Sequence, residues 1–294
     1  MKGFDSFWEI GIGLWLTLAV SPPGTGNPDL QVTVSNSSPR QGEIVVLRLN
    51  DAGVSRAAVS KREKNLPFFP SLTRKGEWLA LVPFDLEDPP GDYRQDLAVV
   101  FSSGREERRE IALRLEPGQF GRRELHLPAG MVHPPASKRA RIAAERALLE
   151  EVFRKVSPQI KITGRFLSPF PGFQGVAFGE ERILNGERRS PHGGVDCPAR
   201  EGTTVAASDS GTVVLARELY FEGNTVIIDH GLGIYTMYLH LKSFQVSEGY
   251  EVRRGEVIGW VGHTGRGTGP HLHFGARILS ERVDPNQLLG LSFD

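Results

Sequence analysis

The stretch Gly265-Arg266-Gly267-Thr268-Gly269-Pro270-His271-Leu272-His273-Phe274 carries the reading of this chain. In a strand, side chains alternate between faces, so His271 and His273 share one face and Leu272 and Phe274 the other. Two imidazoles on one face can both reach a single small centre. The opposite face is apolar and anchors the strand in a core. Pro270, after a glycine-rich run, makes a stiff entry to the strand. Two unrelated surface histidines are the plain alternative.

Outward from that strand, the other histidines gather. The chain has eight, and six of them (His192, His230, His240, His263, His271 and His273) fall between residues 192 and 273. Such clustering marks a site. In His192-Gly193-Gly194-Val195-Asp196 the paired glycines argue against a helix, and an extended or looped segment brings His192 and Asp196 to one side. A neutral imidazole and a carboxylate are both zinc donors. Tyr238-Leu239-His240-Leu241 ends an apolar strand, where a lone histidine would be a core residue; it gains weight from the other two elements. Three ligands of His/Asp/His type leave one zinc position open for water, the pattern of a catalytic site. Two further histidines beside it can move protons and stabilise developing charge. The single cysteine, Cys197, is an alternative ligand as a thiolate. In an extended segment it faces away from Asp196, so a small buried residue is expected.

These pieces resemble the LytM/lysostaphin-type zinc metallopeptidases that cut peptidoglycan cross-bridges. The similarity rests on His192-Gly193-Gly194-Val195-Asp196, Tyr238-Leu239-His240-Leu241 and the Gly265–Phe274 run, in the family's order and with similar spacing. Ala207–Val213 and Ile228–Gly233 resemble further family segments. The resemblance covers about residues 161–288. It implies a compact antiparallel β domain with one Zn2+ per chain in a groove, held by His192, Asp196 and His273. It also implies His271 as general base and His240 as the group that hydrogen-bonds the oxyanion. No carboxylate that would orient His271 is visible. Two positions depart from the family: Gly275, where an acidic residue is common, and Cys197. His230 is expected in a turn, and His263 at the groove or in solvent. Arg182 and Asn185 resemble a segment at the groove edge, although Asn185-Gly186 is also a plain turn signal.

The rest of the chain divides by pattern into 1–27, 28–118, 119–160 and 161–294. In 1–27, Lys2 precedes the apolar run Ile10–Val20, which Ser21-Pro22-Pro23-Gly24 breaks. That reads as a signal peptide or short anchor, since a span needs about 20 apolar residues. Asp5 and Glu9 are acidic where a signal is basic. Residues 28–118 read as an immunoglobulin-like β module, with strands at 30–34, 43–49, 78–82, 95–101 and 110–115 separated by turn clusters. Residues 119–160 read as a connector with one helix. Ser137 is its expected N-cap, and Ile142, Leu149, Val152, Phe153 and Val156 recur at helical spacing. The overall class is mainly β.

Composition narrows the function. Lys+Arg and Asp+Glu both number 35, and the basic excess is confined to the connector, which has eight basic against four acidic residues. A neutral chain does not present the basic surface that nucleic acid requires. No apolar run reaches 18 residues, which excludes a multi-span membrane protein. One cysteine excludes an internal disulfide and a multi-cysteine metal cluster. The expected function is a zinc endopeptidase that hydrolyses peptide cross-links of bacterial peptidoglycan, exported to the periplasm or cell envelope. Its partners are peptidoglycan peptide stems, with other wall hydrolases or envelope proteins as further partners. The alternatives are a non-catalytic activator of wall hydrolases with the same fold, and a zinc peptidase for ordinary polypeptides.

Overall fold

The computed structural model describes residues 30–267 and 269–293, so the reading of 1–27 as an export segment lies outside the described residues. The N-terminal unit consists of two four-stranded antiparallel sheets. One runs in the order Gln31–Val34, Ile44–Asn50, Glu77–Pro83, Phe69–Pro70; the other in the order Lys64–Pro67, Val54–Lys61, Gly91–Phe101, Glu106–Leu115. In chain order the first sheet thus runs first, second, sixth, fifth, the strand order of an immunoglobulin-type sandwich. Leu47, Leu49 and Leu79 from one sheet and Val59, Leu97 and Leu113 from the other share one core. The Tyr93 hydroxyl donates back to the Pro89 carbonyl at 2.9 Å and pins the turn before the longest strand. All five expected strands are present. Val54–Lys61 and its short neighbours are additional; Arg56, Ser60 and Lys61 interrupt the apolar alternation that announces a strand.

The connector holds more structure than a helix. Arg122–Leu125 pairs in parallel with Glu181–Leu184, and Ala129–Val132 forms one helical turn. The main helix spans Ala136–Arg154 and starts one residue before the expected cap. Pro135 occupies the N-cap position with no side-chain cap bond, and Ser137 lies inside the first turn. The fixed φ of proline already suits a helix start, so no side-chain cap is needed to direct the chain. Val152 and Phe153 bury against Leu215, Ile227, Tyr235, Met237 and Leu239. Arg141 and Arg146 pair with Glu145 and Glu150 one turn on, at 2.6 and 3.0 Å.

The C-terminal unit is built on one nine-stranded antiparallel sheet system, beside the small sheet that Glu181–Leu184 and Glu187–Pro191 form with Arg122–Leu125. Its central path is Gly194–Pro198, His271–Ile278, Ile234–Phe244, Gly223–Asp229, Gly211–Leu219 and Glu251–Val252. Leu272 and Phe274 bury completely in a core with Val195, Cys197 and Tyr238, as alternation requires. No helix among the described residues is long and apolar enough to cross a membrane.

The two units are welded together. Ile278, Val283, Leu288 and Phe293 belong to the same hydrophobic core as the sandwich. Gln287 bonds both backbone groups of Ile44, at 2.6 and 3.0 Å. Buried Lys61 reaches Asp88 at 2.6 Å and Glu281 at 3.2 Å. Arg282 is gripped by Asp85 and by Glu87, the latter at 2.7 Å, and its backbone N–H also donates to Asp85 at 2.7 Å.

Burial works against the Asp85 carboxylate, but its bonds from Arg282 outweigh that and hold it below its ordinary value of 3.8. A carboxyl with a depressed folded pKa contributes stability above the unfolded value and loses it as the pH falls through the folded one. Asp85→Asn is therefore expected to cost roughly 1–3 kcal/mol at pH 7, because a largely buried guanidinium keeps Glu87 but loses the more buried of its two charge partners. The cost should shrink as the pH falls below about 4. Urea unfolding at pH 7 and pH 3 checks both statements.

Candidate metal centre

Pairing between Gly194–Pro198 and His271–Ile278 sets Asp196 directly opposite His273. The His273 Nδ1 to Asp196 Oδ1 distance is 2.9 Å. His192, in the turn that leads into the first strand, brings Nε2 to 2.8 Å from His273 Nδ1 and 3.2 Å from Asp196 Oδ1. Close approach explains the glycine that follows. A Cβ on Gly194 would meet both His273 Nε2 and the Phe274 carbonyl at 2.6 Å.

The donor chemistry fits a cation. The Nδ1 of His192 lies 2.8 Å from the Ala177 carbonyl, which takes its proton and leaves Nε2 as a lone pair. Burial pushes His273 down to about 4, so its ring is neutral at physiological pH. Burial disfavours the Asp196 carboxylate, yet the facing imidazoles of His192 and His273 overcome that and hold it well below the usual carboxylate range. Three acceptor atoms thus converge with at most one proton among them. Among the described residues this is the group of His, Cys, Asp and Glu able to hold a metal ion. Two nitrogens and one oxygen at such separations suit a tetrahedral cation with a fourth position free.

Two more imidazoles face the same space. His271 lies on the shared face of its strand, with Nε2 3.8 Å from Asp196 Oδ1, and its Nδ1 donates to the Gly269 carbonyl at 2.7 Å. His240 donates from Nδ1 to the Thr264 carbonyl at 2.8 Å. The two rings are 4.8 Å apart. Backbone carbonyls therefore set both tautomers and turn both Nε2 lone pairs toward the groove. The orienting group of His271 is a carbonyl, not a carboxylate, which is why no partner was visible in the sequence. Burial pushes His240 down to about 3. Strand alternation alone would place His240 with Tyr238, away from Leu239. A left-handed backbone at φ 61° breaks the alternation, and both Leu239 and His240 line the groove.

The remaining sequence candidates separate cleanly. Cys197 is buried opposite Leu272 in the core, and burial raises its thiol pKa. His230 is fully buried between the Ser210 carbonyl and the Thr236 hydroxyl, both at 2.8 Å. His263 is exposed and pairs with Glu201 at 3.1 Å. Asn185 clasps the backbone of Leu127 through both its amide groups, at 2.9 Å each. Arg182 is different. Its Nη2 holds Asp196 Oδ2 at 2.6 Å, so the carboxylate is shared between the imidazoles and a guanidinium. The groove, about 820 Å3, is walled by Phe153 of the connector helix and by Leu184, Arg277 and Arg282, and Asp85 of the sandwich reaches it. None of these wall residues carries a motif that announces it.

Comparison with known proteins places this geometry. Residues 190–285 match the profile of Peptidase family M23. The DD-carboxypeptidase/endopeptidase Mpg of Neisseria meningitidis serogroup B is 49% identical over 94 residues, which are 32% of this chain and 22% of that protein. The peptidoglycan DD-endopeptidase ShyA of Vibrio cholerae serotype O1 is 47% identical over 88 residues, 30% of this chain and 20% of that protein. The chain thus spans about a fifth of the length of the curated relatives it matches. A solved structure from Pseudomonas aeruginosa, assigned to peptidase M23, is 27% identical with a TM-score of 0.61. It aligns with 86% of this chain and 96% of its own, so the likeness extends through the sandwich.

Gly194→Ala, which forces a methyl group into His273, is expected to take up less divalent metal than the parent at equal free metal while remaining folded. Arg182→Leu is expected to weaken metal affinity by about 10–100-fold, the usual cost of losing a group that orients a ligand. Competition with a chromophoric chelator, beside a thermal melt for each variant, measures both.

Proposed function

Residues 190–285 form a peptidase family M23 domain of the LytM type, and from that premise we propose that this chain is a zinc-dependent endopeptidase acting on the peptide cross-links of bacterial peptidoglycan. The observation that carries the reading is the convergence of His192, Asp196 and His273 beside two tautomer-locked imidazoles in one groove. The naming of Mpg and ShyA for cell-wall peptide bonds supports the substrate class.

His192 Nε2, Asp196 Oδ1 and a nitrogen of His273 would hold one Zn2+ per chain. Bound there, zinc supplies Lewis acidity and lowers the pKa of water toward about 7. His271 presents a lone pair at Nε2, and Gly269 fixes its ring, so it can take a proton from the attacking water and return it to the leaving amine. His240 has its Nδ1 proton committed to Thr264 and burial keeps the ring neutral, so its Nε2 offers a lone pair to the groove and could donate to an oxyanion only after taking up a proton there. Arg182 keeps the Asp196 carboxylate from rotating. Phe153 of the connector helix and Leu184 supply apolar patches on a groove wall that is otherwise largely charged and polar. A cell-wall substrate also supports export to the envelope, with the apolar run at 10–20 as the leader or anchor, and peptide stems as the partner.

His271→Ala and His240→Ala are expected to keep their zinc and lose about 10²–10⁴-fold in turnover. His192→Ala and His273→Ala should lose zinc and activity together. Elemental analysis and release of peptides from purified cell walls, with and without chelator, measure both properties. If His271→Ala loses its zinc, the ligand and base assignments are interchanged. Wall lysis that survives loss of the metal would favour the activator reading.

A further inference from the structure

Beyond the histidines, the strand His271–Ile278 continues along the groove. Its groove face carries His271, His273, Gly275 and Arg277, while Leu272, Phe274, Ala276 and Ile278 are buried on the other face. Arg277 lies about 13 Å beyond His273 along the strand, at about 3.3 Å per residue. Its guanidinium stacks on Phe153 of the connector helix, 4.4 Å from the ring centre. Nη1 donates to the Ser280 carbonyl at 2.8 Å. Nε is buried with no acceptor. Among the described residues no carboxylate lies within ion-pair distance of Arg277.

This is an unusual place for a cation. Strand register puts Arg277 directly opposite Arg282, and like charges so placed repel. Arg282 is satisfied, because Asp85 and Glu87 hold it from the sandwich. Asp85 is the acid whose field reaches Arg277, but it spends its oxygens on Arg282. Burial pushes Arg277 down to about 10, which leaves it charged at neutral pH. The fold therefore holds a desolvated guanidinium with most of its donors unused, at the end of a groove that begins at the metal ligands. Between them stands Gly275, which has no side chain of its own; the flexible Met237 side chain of the facing strand covers that position. Groups that carry a buried charge without a partner in the free protein are where a ligand of opposite charge gains most.

We propose that Arg277 is an anion subsite that takes a carboxylate of the peptide substrate, roughly two to four residues from the bond that is cut. Arg277 is then a specificity residue, not a catalytic one: it selects acidic peptides and fixes their register in the groove. The proposal deepens the peptidase reading and rests on it for the identity of the ligand. The carboxylate has two sources, the free end of a stem peptide or an acidic side chain within it.

The test uses the full chain, zinc-loaded, and three synthetic cross-linked stem peptides: one with all carboxylates free, one amidated at the chain end and one amidated at the side chain. One of the two amides is expected to lower kcat/KM about tenfold or more, mainly through KM, and so identify the source. Arg277→Gln should lower the free peptide to the amidated level and abolish the difference. Gly275→Glu, which leaves Arg277 in place and sets an internal acid two residues away on the same face, should do the same with zinc content unchanged. Its new Cβ asks only the flexible Met237 side chain to give way, with the sulfur at 3.2 Å. This second variant keeps the test decisive should Arg277→Gln unfold. Equal rates for all three peptides, or discrimination that persists in either variant, overturns the subsite. Calorimetry of the non-cleavable, singly stranded stem peptide separates the two levels of inference. Carboxylate-dependent binding that Arg277→Gln removes, in a chain that cleaves nothing, would sink the peptidase reading and keep the subsite. Neither binding nor cleavage would sink both.

Discussion

The pairing of two short strands is the constraint on which everything else depends. Gly194–Pro198 and His271–Ile278 meet in a register that places Asp196 across from His273 and Gly194 across from Gly275. A slip of one residue would turn His273 into the core and Leu272 into the groove, because side chains alternate. Register is held by the buried face: Val195, Cys197, Leu272 and Phe274 have almost no exposure. A hydrophobic core thus positions a polar site on its opposite side. The cost of gathering acceptors without protons is offset by that packing, and the site stays rigid where a looser fold would let the imidazoles part.

Around this pair the backbone, not other side chains, sets the proton positions. Carbonyls of Ala177, Thr264 and Gly269 each accept one imidazole N–H. Such contacts have no signature in composition, since every residue has a carbonyl. They make the site depend on loops far away in sequence: Ala177 sits at φ 69° and His240 at φ 61°, both uncommon for residues with a side chain. The strain at His240 is the kind that cores maintain at working sites, where one aimed ring is worth more than a relaxed backbone.

The sandwich and the connector are part of the same body as the groove. One core joins the sandwich to the last strands of the C-terminal unit, and Asp85 closes the far end of the groove by gripping Arg282. The connector helix supplies Phe153 as a wall. Two of the connector's basic residues, Arg146 and Arg154, lie along the rim of the cleft. The N-terminal unit is therefore a support for the shape of the cleft, with the solved Pseudomonas aeruginosa relative sharing the arrangement across most of its length.

From the sequence alone, local spacing determined that His271 and His273 share a face, that Leu272 and Phe274 anchor it, that an all-β sandwich precedes, and that Cys197 turns inward. Each of these follows from alternation within single strands and from the turn residues between them, which are short-range rules. Tertiary structure alone decided the rest. It brought His192 and Asp196 to His273 across a gap of about eighty residues, turned His240 against the alternation of its own strand, recruited Arg182 to the Asp196 carboxylate, and set Arg277 beside Arg282. The helix start at Ala136, one residue ahead of Ser137, is by contrast local, set by Pro135 at the N-cap. The site contacts depend on long-range register and on backbone carbonyls from distant loops, and neither leaves a periodic trace in the order of residues.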